Sequence, residues 1–132
     1  MRVVVVVADF YTDIATGLLR SCCNELDAAL STYTVVHVAG VLEIPFALAR
    51  LADRYPADCM VALGCVIRGE TYHFEVVATT SAAGILQVSL TKDVPIGNGV
   101  LTVDTLAQAQ ARLDKGAAAA RAALQLSKVV RL

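Results

Sequence analysis

Four short apolar runs, residues 3–8, 34–38, 59–65 and 99–103, are separated by longer stretches in which apolar residues recur at helical spacing. The runs do not alternate with polar residues, the pattern of strands covered on both faces, so they predict a parallel sheet. After the first run Thr12 or Asp13 can cap a helix that carries Ile14, Leu18, Cys22, Leu26 and Leu30 along one stripe. After the second, Pro45 suits a first helical turn, and the helix is expected to reach about Arg54 and to stop before Pro56. A long helix follows the third run, from about Tyr72 to Leu90, with a turn at Asp93-Val94-Pro95. After the fourth, Asp104 or Thr105 starts a helix with Leu106, Ala109 and Leu113 on one side; Gly116 interrupts it and residues 117–130 continue. The alanine-rich stretch 117–123 suits close packing, with Arg121 and Lys128 in solvent. Four β-α units joined by right-handed crossovers predict an α/β, three-layer αβα sandwich, a four-stranded parallel sheet with helices on both faces. With the first strand at the centre, its order is flavodoxin-like.

Composition adds a surplus of apolar surface: of 132 residues 57% are apolar and 17% charged, and the mean hydropathy is +0.63. That length implies a single domain, 1–132, which buries only about two-thirds of its unfolded surface. The excess is expected at a membrane or a subunit interface. The longest apolar run, 3–8, falls far short of the roughly 20 residues of a spanning helix, which leaves an oligomer. Lys plus Arg number 11 and Asp plus Glu 12, and a net charge of -1 with a pI near 6.0 excludes a basic nucleic-acid-binding domain. No secretory pattern follows Met1-Arg2, so the expected location is cytoplasmic. Cys22, Cys23, Cys59 and Cys65 lack CxxC spacing and read as reduced core residues, not as a disulfide frame or a zinc site.

Ligands of open parallel sheets bind beyond the carboxyl ends of the strands, and there this sequence is unusual. Phe10 directly follows the first run; it either plugs the top of the core or offers a face on which a planar heterocycle stacks. Glu43, between Leu42 and Ile44 and just before Pro45, either caps N–H groups at a helix start or binds ligand hydroxyls. Segment 66–74 is the densest in chemistry. Gly69 permits a tight turn that sets the N–H groups of Glu70 and Thr71 at a helix start, where an anion such as phosphate is favoured, and Thr71 adds a hydroxyl. His73 stands beside that turn, and an imidazole, with an unperturbed pKa of about 6.5, is a natural proton shuttle. His37, inside the second run, reads as a core or interface residue, and Arg112 and Lys115 either complete a phosphate site or are solvated. The two histidines and the carboxylates show no metal-ligand spacing, and Cys65, ending a buried run, lacks the setting of a nucleophile.

These residues, in this order, resemble the 6,7-dimethyl-8-ribityllumazine synthase family over nearly the whole chain. The carriers are Phe10, the segment Gly40-Val41-Leu42-Glu43-Ile44-Pro45, the run Gly64 to Thr71 with His73-Phe74, Gly99-Val100-Leu101-Thr102, and Lys115-Gly116 before an alanine-rich helix. The resemblance implies a transferase of riboflavin biosynthesis. Its reaction condenses 5-amino-6-(D-ribitylamino)uracil with 3,4-dihydroxy-2-butanone 4-phosphate and releases phosphate and water, without cofactor or metal. It further implies that Phe10 stacks on the pyrimidine, that Val41, Leu42 and Glu43 hold the ribityl chain, and that Cys65, Val66 and Ile67 follow the pyrimidine edge. Glu70 and Thr71 would hold the phosphate, Glu70 necessarily through its N–H, and His73 would be the general acid/base. Arg112, and less securely Lys115, would add phosphate contacts from a neighbouring subunit of a pentamer.

Departures from the family pattern are Asn98 where an aromatic residue lent to the next subunit's site is usual, Asp9 where a basic one is common, and a connection between Arg112 and Lys115 shorter by about five residues. With Asn98 the pyrimidine either loses a stacking face or is hydrogen-bonded by that residue. The chain also begins almost at its first strand, and together these departures suggest a pentamer that need not go on to a larger shell, with assemblies of pentamers left open. Two other functions fit this pattern: a ligand-binding or scaffold homologue with a weakened site, and a related riboflavin-forming enzyme of the same fold. The intact run from Gly69 to His73 favours activity.

Overall fold

The computed structural model describes residues 1–130 and 132. Strands β1 (Arg2–Ala8), β2 (Thr32–Val38), β3 (Cys59–Ile67) and β4 (Ile96–Val103) form one parallel sheet in the order β2-β1-β3-β4, the flavodoxin-like arrangement. Each apolar run is a strand. The strands extend past the runs because backbone pairing continues beyond the apolar residues, as where Arg2 pairs with Thr32 and Ile67 with Val103.

The inner strands are covered on both faces. Val3, Val5 and Val7 of β1 point into one core and Val4, Val6 and Ala8 into the other. The edge strands depart from the expected pattern: no residue of β2 is buried, and β4 alternates, with Gly97, Gly99, Leu101 and Val103 buried. An edge strand has a neighbour on one side only, so apolar composition did not guarantee cover.

Helices α1 (Thr12–Ala28) and α5 (Lys115–Val129) close one face, and α2 (Ile44–Arg54) and α3 (His73–Lys92) the other; α4 (Leu106–Gln110) is a short link after β4. Ile14, Leu18, Cys22 and Leu26 are the buried stripe of α1 as expected. Leu30 does not continue it, since the helix ends first and Leu30 is 89% exposed with φ of 58°. Neither Thr12 nor Asp13 caps α1; Tyr11 occupies that place without a side-chain bond. Thr105 does cap α4, in a reciprocal arrangement with Gln108 that satisfies two otherwise orphaned N–H groups.

Gly116 does not interrupt a helix. The break falls in the turn at residues 111–114, and Gly116 lies buried in the first turn of α5 because a Cβ there would sit 2.1 Å from the Leu18 carbonyl oxygen. Gly97 serves the same packing from β4: its Cβ would lie 2.0 Å from the Ala119 carbonyl oxygen. With Ala119, Ala120 and Ala123 also buried, α5 approaches backbone to backbone. Arg121 is held rather than free, donating to Glu25 of α1 at 3.0 Å.

Helix α3 corrects the membrane argument. By length and composition alone it is apolar enough to cross a bilayer, although scattered Thr, Ser and Gln keep it from reading as one run. Val77, Ser81, Ile85 and Val88 are buried, while Val76, Leu86 and Leu90 are exposed, so much of the apolar surplus lies here.

Candidate active site

A cleft of about 360 Å³ opens at the carboxyl ends of β1 and β3, a volume suited to a small molecule. Phe10, Val41, Leu42, Glu43, Cys65, Val66, Ile67, Thr71 and His73 all line it. Three of the turns predicted to carry chemistry, those after β1, β2 and β3, thus meet in one place, because a parallel sheet puts every strand's end on the same side.

Phe10 is 73% exposed and rests edge-on against Tyr11, with ring centroids 5.0 Å apart, so it does not plug the core. Its open face is available to a planar ligand. Val41 lies buried in a short 3-10 turn (Val41–Glu43), with Leu42 and Glu43 exposed on the rim. The Glu43 carboxylate caps neither that turn nor α2, and its acceptor oxygens remain open to the cleft. Cys65 and Val66 are buried beneath. Burial pushes the Cys65 thiol up to about 11, which leaves it protonated at neutral pH and unsuited to nucleophilic attack.

The turn between β3 and α3 differs in detail from expectation. Gly69 has no positive φ, and a Cβ there would meet nothing within 4 Å, so the chain's own geometry does not demand a glycine. The residue instead borders the cleft. Helix α3 begins at His73, so Glu70 and Thr71 lie in the turn ahead of it and not in its first turn. Thr71 Oγ1 accepts a hydrogen bond from the His73 N–H at 3.3 Å. The Glu70 side chain is exposed and outside the lining.

Asn98, Arg112 and Lys115 do not join this cleft within the chain. Asn98 stands on edge strand β4, where its Oδ1 accepts from the Val100 N–H at 2.9 Å. Arg112 and Lys115 border a separate depression beside residues 100–103 of β4, and Arg112 donates to the Gln108 carbonyl at 2.9 Å. The cleft is lined by one carboxylate, Glu43, and by no lysine or arginine.

Sequence reasoning missed several neighbours. Tyr11, Phe74 and Val77 complete the wall. Arg68, next to the anion-binding turn, is committed elsewhere: Nε donates to Asp104 Oδ1 at 2.9 Å, Nη1 to Glu75, and Cζ lies 4.4 Å from the centre of the Phe74 ring. Hydrogen bonds to Asp104 and then Glu75 push its pKa further up. Glu75 at seven residues' distance was the only local hint, since Asp104 is 36 residues away. His37 is not a core residue; it is exposed on β2, with Nδ1 3.0 Å from Asp9 Oδ2. Among the described residues no three His, Cys, Asp or Glu side chains gather as metal ligands.

The chain matches the family model of 6,7-dimethyl-8-ribityllumazine synthase over residues 1–131. A protein of that name from Nitrobacter hamburgensis is 46% identical, over 98% of this chain and 86% of its own length. Those from Methylobacterium radiotolerans (47% identical, 99% of this chain, 83% of the relative) and Beijerinckia indica (48%, 95% and 73%) are similar to the same degree. The sheet order, the cleft at its carboxyl edge and this likeness across the full length agree, and the chain belongs to the 6,7-dimethyl-8-ribityllumazine synthase family.

Proposed function

We infer that this chain, acting as one domain over 1–132, condenses 5-amino-6-(D-ribitylamino)uracil with 3,4-dihydroxy-2-butanone 4-phosphate to 6,7-dimethyl-8-ribityllumazine, releasing phosphate and water. The observation that carries the reading is the convergence on one cleft of an open aromatic face, an uncapped carboxylate and a histidine beside a turn of free N–H character, Phe10, Glu43 and His73 with Thr71. The pyrimidine stacks on Phe10 with Cys65, Val66 and Ile67 along its edge, and Val41, Leu42 and Glu43 take the ribityl hydroxyls. The phosphate lies on the N–H groups of Glu70 and Thr71 and on the Thr71 hydroxyl. His73 moves protons as the Schiff base forms and as phosphate leaves. Holding two reactants in place supplies most of the rate, and proton transfer adds about 10²- to 10⁴-fold. No cofactor enters this scheme.

A phosphate dianion needs positive charge, and the cleft's own lining supplies no lysine or arginine. This supports an assembly, a homopentamer, in which Arg112, Asn98 and Lys115 reach the cleft from the next subunit, so that sites lie at interfaces. The reading places the protein in the cytoplasm, with small molecules and its own copies as partners and neither nucleic acid nor membrane. The test is to mix the protein with the two substrates and follow lumazine absorbance and phosphate release together. Equal yields of both are expected; no product at high enzyme concentration would leave the ligand-binding or scaffold reading in its place.

A further inference from the structure

Besides the packing of Phe74 and Val77 on the core, one polar side chain links the first turn of α3 to the segment beyond β4. Arg68, just past β3, reaches over the turn at residues 69–72 and holds Glu75 by Nη1, while its Nε is held by Asp104 beyond β4. Its guanidinium carbon also lies over the Phe74 ring, 4.4 Å from the centroid, and Phe74 is part of the cleft wall. The Arg68 backbone N–H adds a bond to the Val103 carbonyl at 2.8 Å. A planar, always-charged fork suits such a joint, since it satisfies two carboxylates and an aromatic face at once. His73 sits between the tied points: it is the first residue of α3, directly before Phe74 and Glu75. Its own backbone N–H has only the Thr71 hydroxyl at 3.3 Å, and its ring is exposed.

We propose that Arg68 is a positioning residue: through Glu75, Phe74 and Asp104 it fixes the turn from Gly69 to Tyr72 and aims the His73 ring into the cleft. It does not touch substrate: it is not part of the cleft wall, and its Nε–H and one Nη1–H are engaged by the two carboxylates. The inference rests on the proposed reaction for its kinetic consequence, while its geometric content stands on the side-chain contacts alone. Misplacing a reacting group by about 1 Å costs about 10²-fold, so Arg68→Met is expected to lower kcat by about tenfold to hundredfold, with KM for the uracil little changed. Arg68→Lys keeps the charge but not the fork, and recovers only part of the loss.

Two readouts separate positioning from plain structural support. In the His73→Ala background Arg68→Met should lower kcat no further, because the group it aims is gone; a loss as large as in the wild type overturns the proposal. The chain has two histidines, so proton NMR resolves His73 beside His37, which is tied to Asp9 on β2 and serves as the internal control. Arg68→Met should move the His73 ring resonances and titration midpoint and leave those of His37 in place; an unmoved His73 also overturns it. If Arg68→Met does not fold, Asp104→Ala, which releases one arm and leaves Glu75 and Phe74 engaged, is measured instead with the same expectations. A wild-type protein that makes no lumazine defeats the proposed reaction but not this arm, which the NMR comparison then decides.

Discussion

Gly69 borders the cleft without needing to be a glycine for its own backbone: φ is ordinary and a methyl group would meet no protein atom within 4 Å. The space such a methyl would fill is the space offered to a ligand. Gly69→Ala should therefore leave stability within about 0.5 kcal/mol of the parent while raising KM for the butanone phosphate by about tenfold. Thermal melting together with steady-state kinetics checks both halves, and an unchanged KM would remove the phosphate from this turn. Residue types were legible here where local sequence carried the signal, as for Phe10, Glu43 and His73. The choice between Phe10 as a plug and as an open platform was not, because exposure depends on what neighbouring elements leave uncovered. Arg68 and His37 were missed for a related reason: Asp104 and Asp9 are 36 and 28 residues from them, and no periodicity links partners across a sheet.

Strand positions were readable because inner strands are apolar on both faces, and β1 and β3 are the inner pair. Helix interruption was misread at Gly116, where the residue is set by a close approach between α5 and α1 instead of by a chain break. Gly116→Ala must push a methyl group into the Leu18 carbonyl, so the cost is expected at the upper end of overpacking, about 3 kcal/mol, measured by denaturant unfolding. Thiols buried in these elements also set an alkaline limit. Burial raises Cys22 of α1 to about 12 and Cys59 and Cys65 of β3 to about 11, from 9.0 for an ordinary thiol. Above pH 9.0 the unfolded chain releases protons that the folded chain keeps, so this contribution to stability is complete below that pH and is lost as pH rises toward the folded values. Unfolding midpoints at about pH 8 and about pH 10 should fall less in a Cys22→Ala, Cys59→Ala variant than in the parent. An equal fall in both would assign the alkaline limit to other groups.

At the scale of the molecule, the residues expected to bind substrate divide into those lining the cleft, with Glu70 in the turn after Gly69, and those, Asn98, Arg112 and Lys115, beside β4. The first set lines one cleft because strand ends converge in any parallel sheet. The second lies outside one chain's cleft, and the proposed assembly would bring it there from a neighbour. A mixture of His73→Ala and Arg112→Ala proteins, each nearly inactive, tests that arrangement. Reassembled at equal amounts in a ring, about one quarter of the sites pair an intact His73 with an intact Arg112, so activity should recover to about a quarter of the parent's. No recovery on mixing would place both residues' roles within one subunit. The lone carboxylate at the cleft has a physiological side as well. If the ketose phosphate is neutralised only across an interface, a lone subunit, whose cleft has a carboxylate and no cation, holds it weakly, so scarce, newly made subunits would neither sequester nor consume it. Output would then rise more steeply than protein level, making abundance itself the switch.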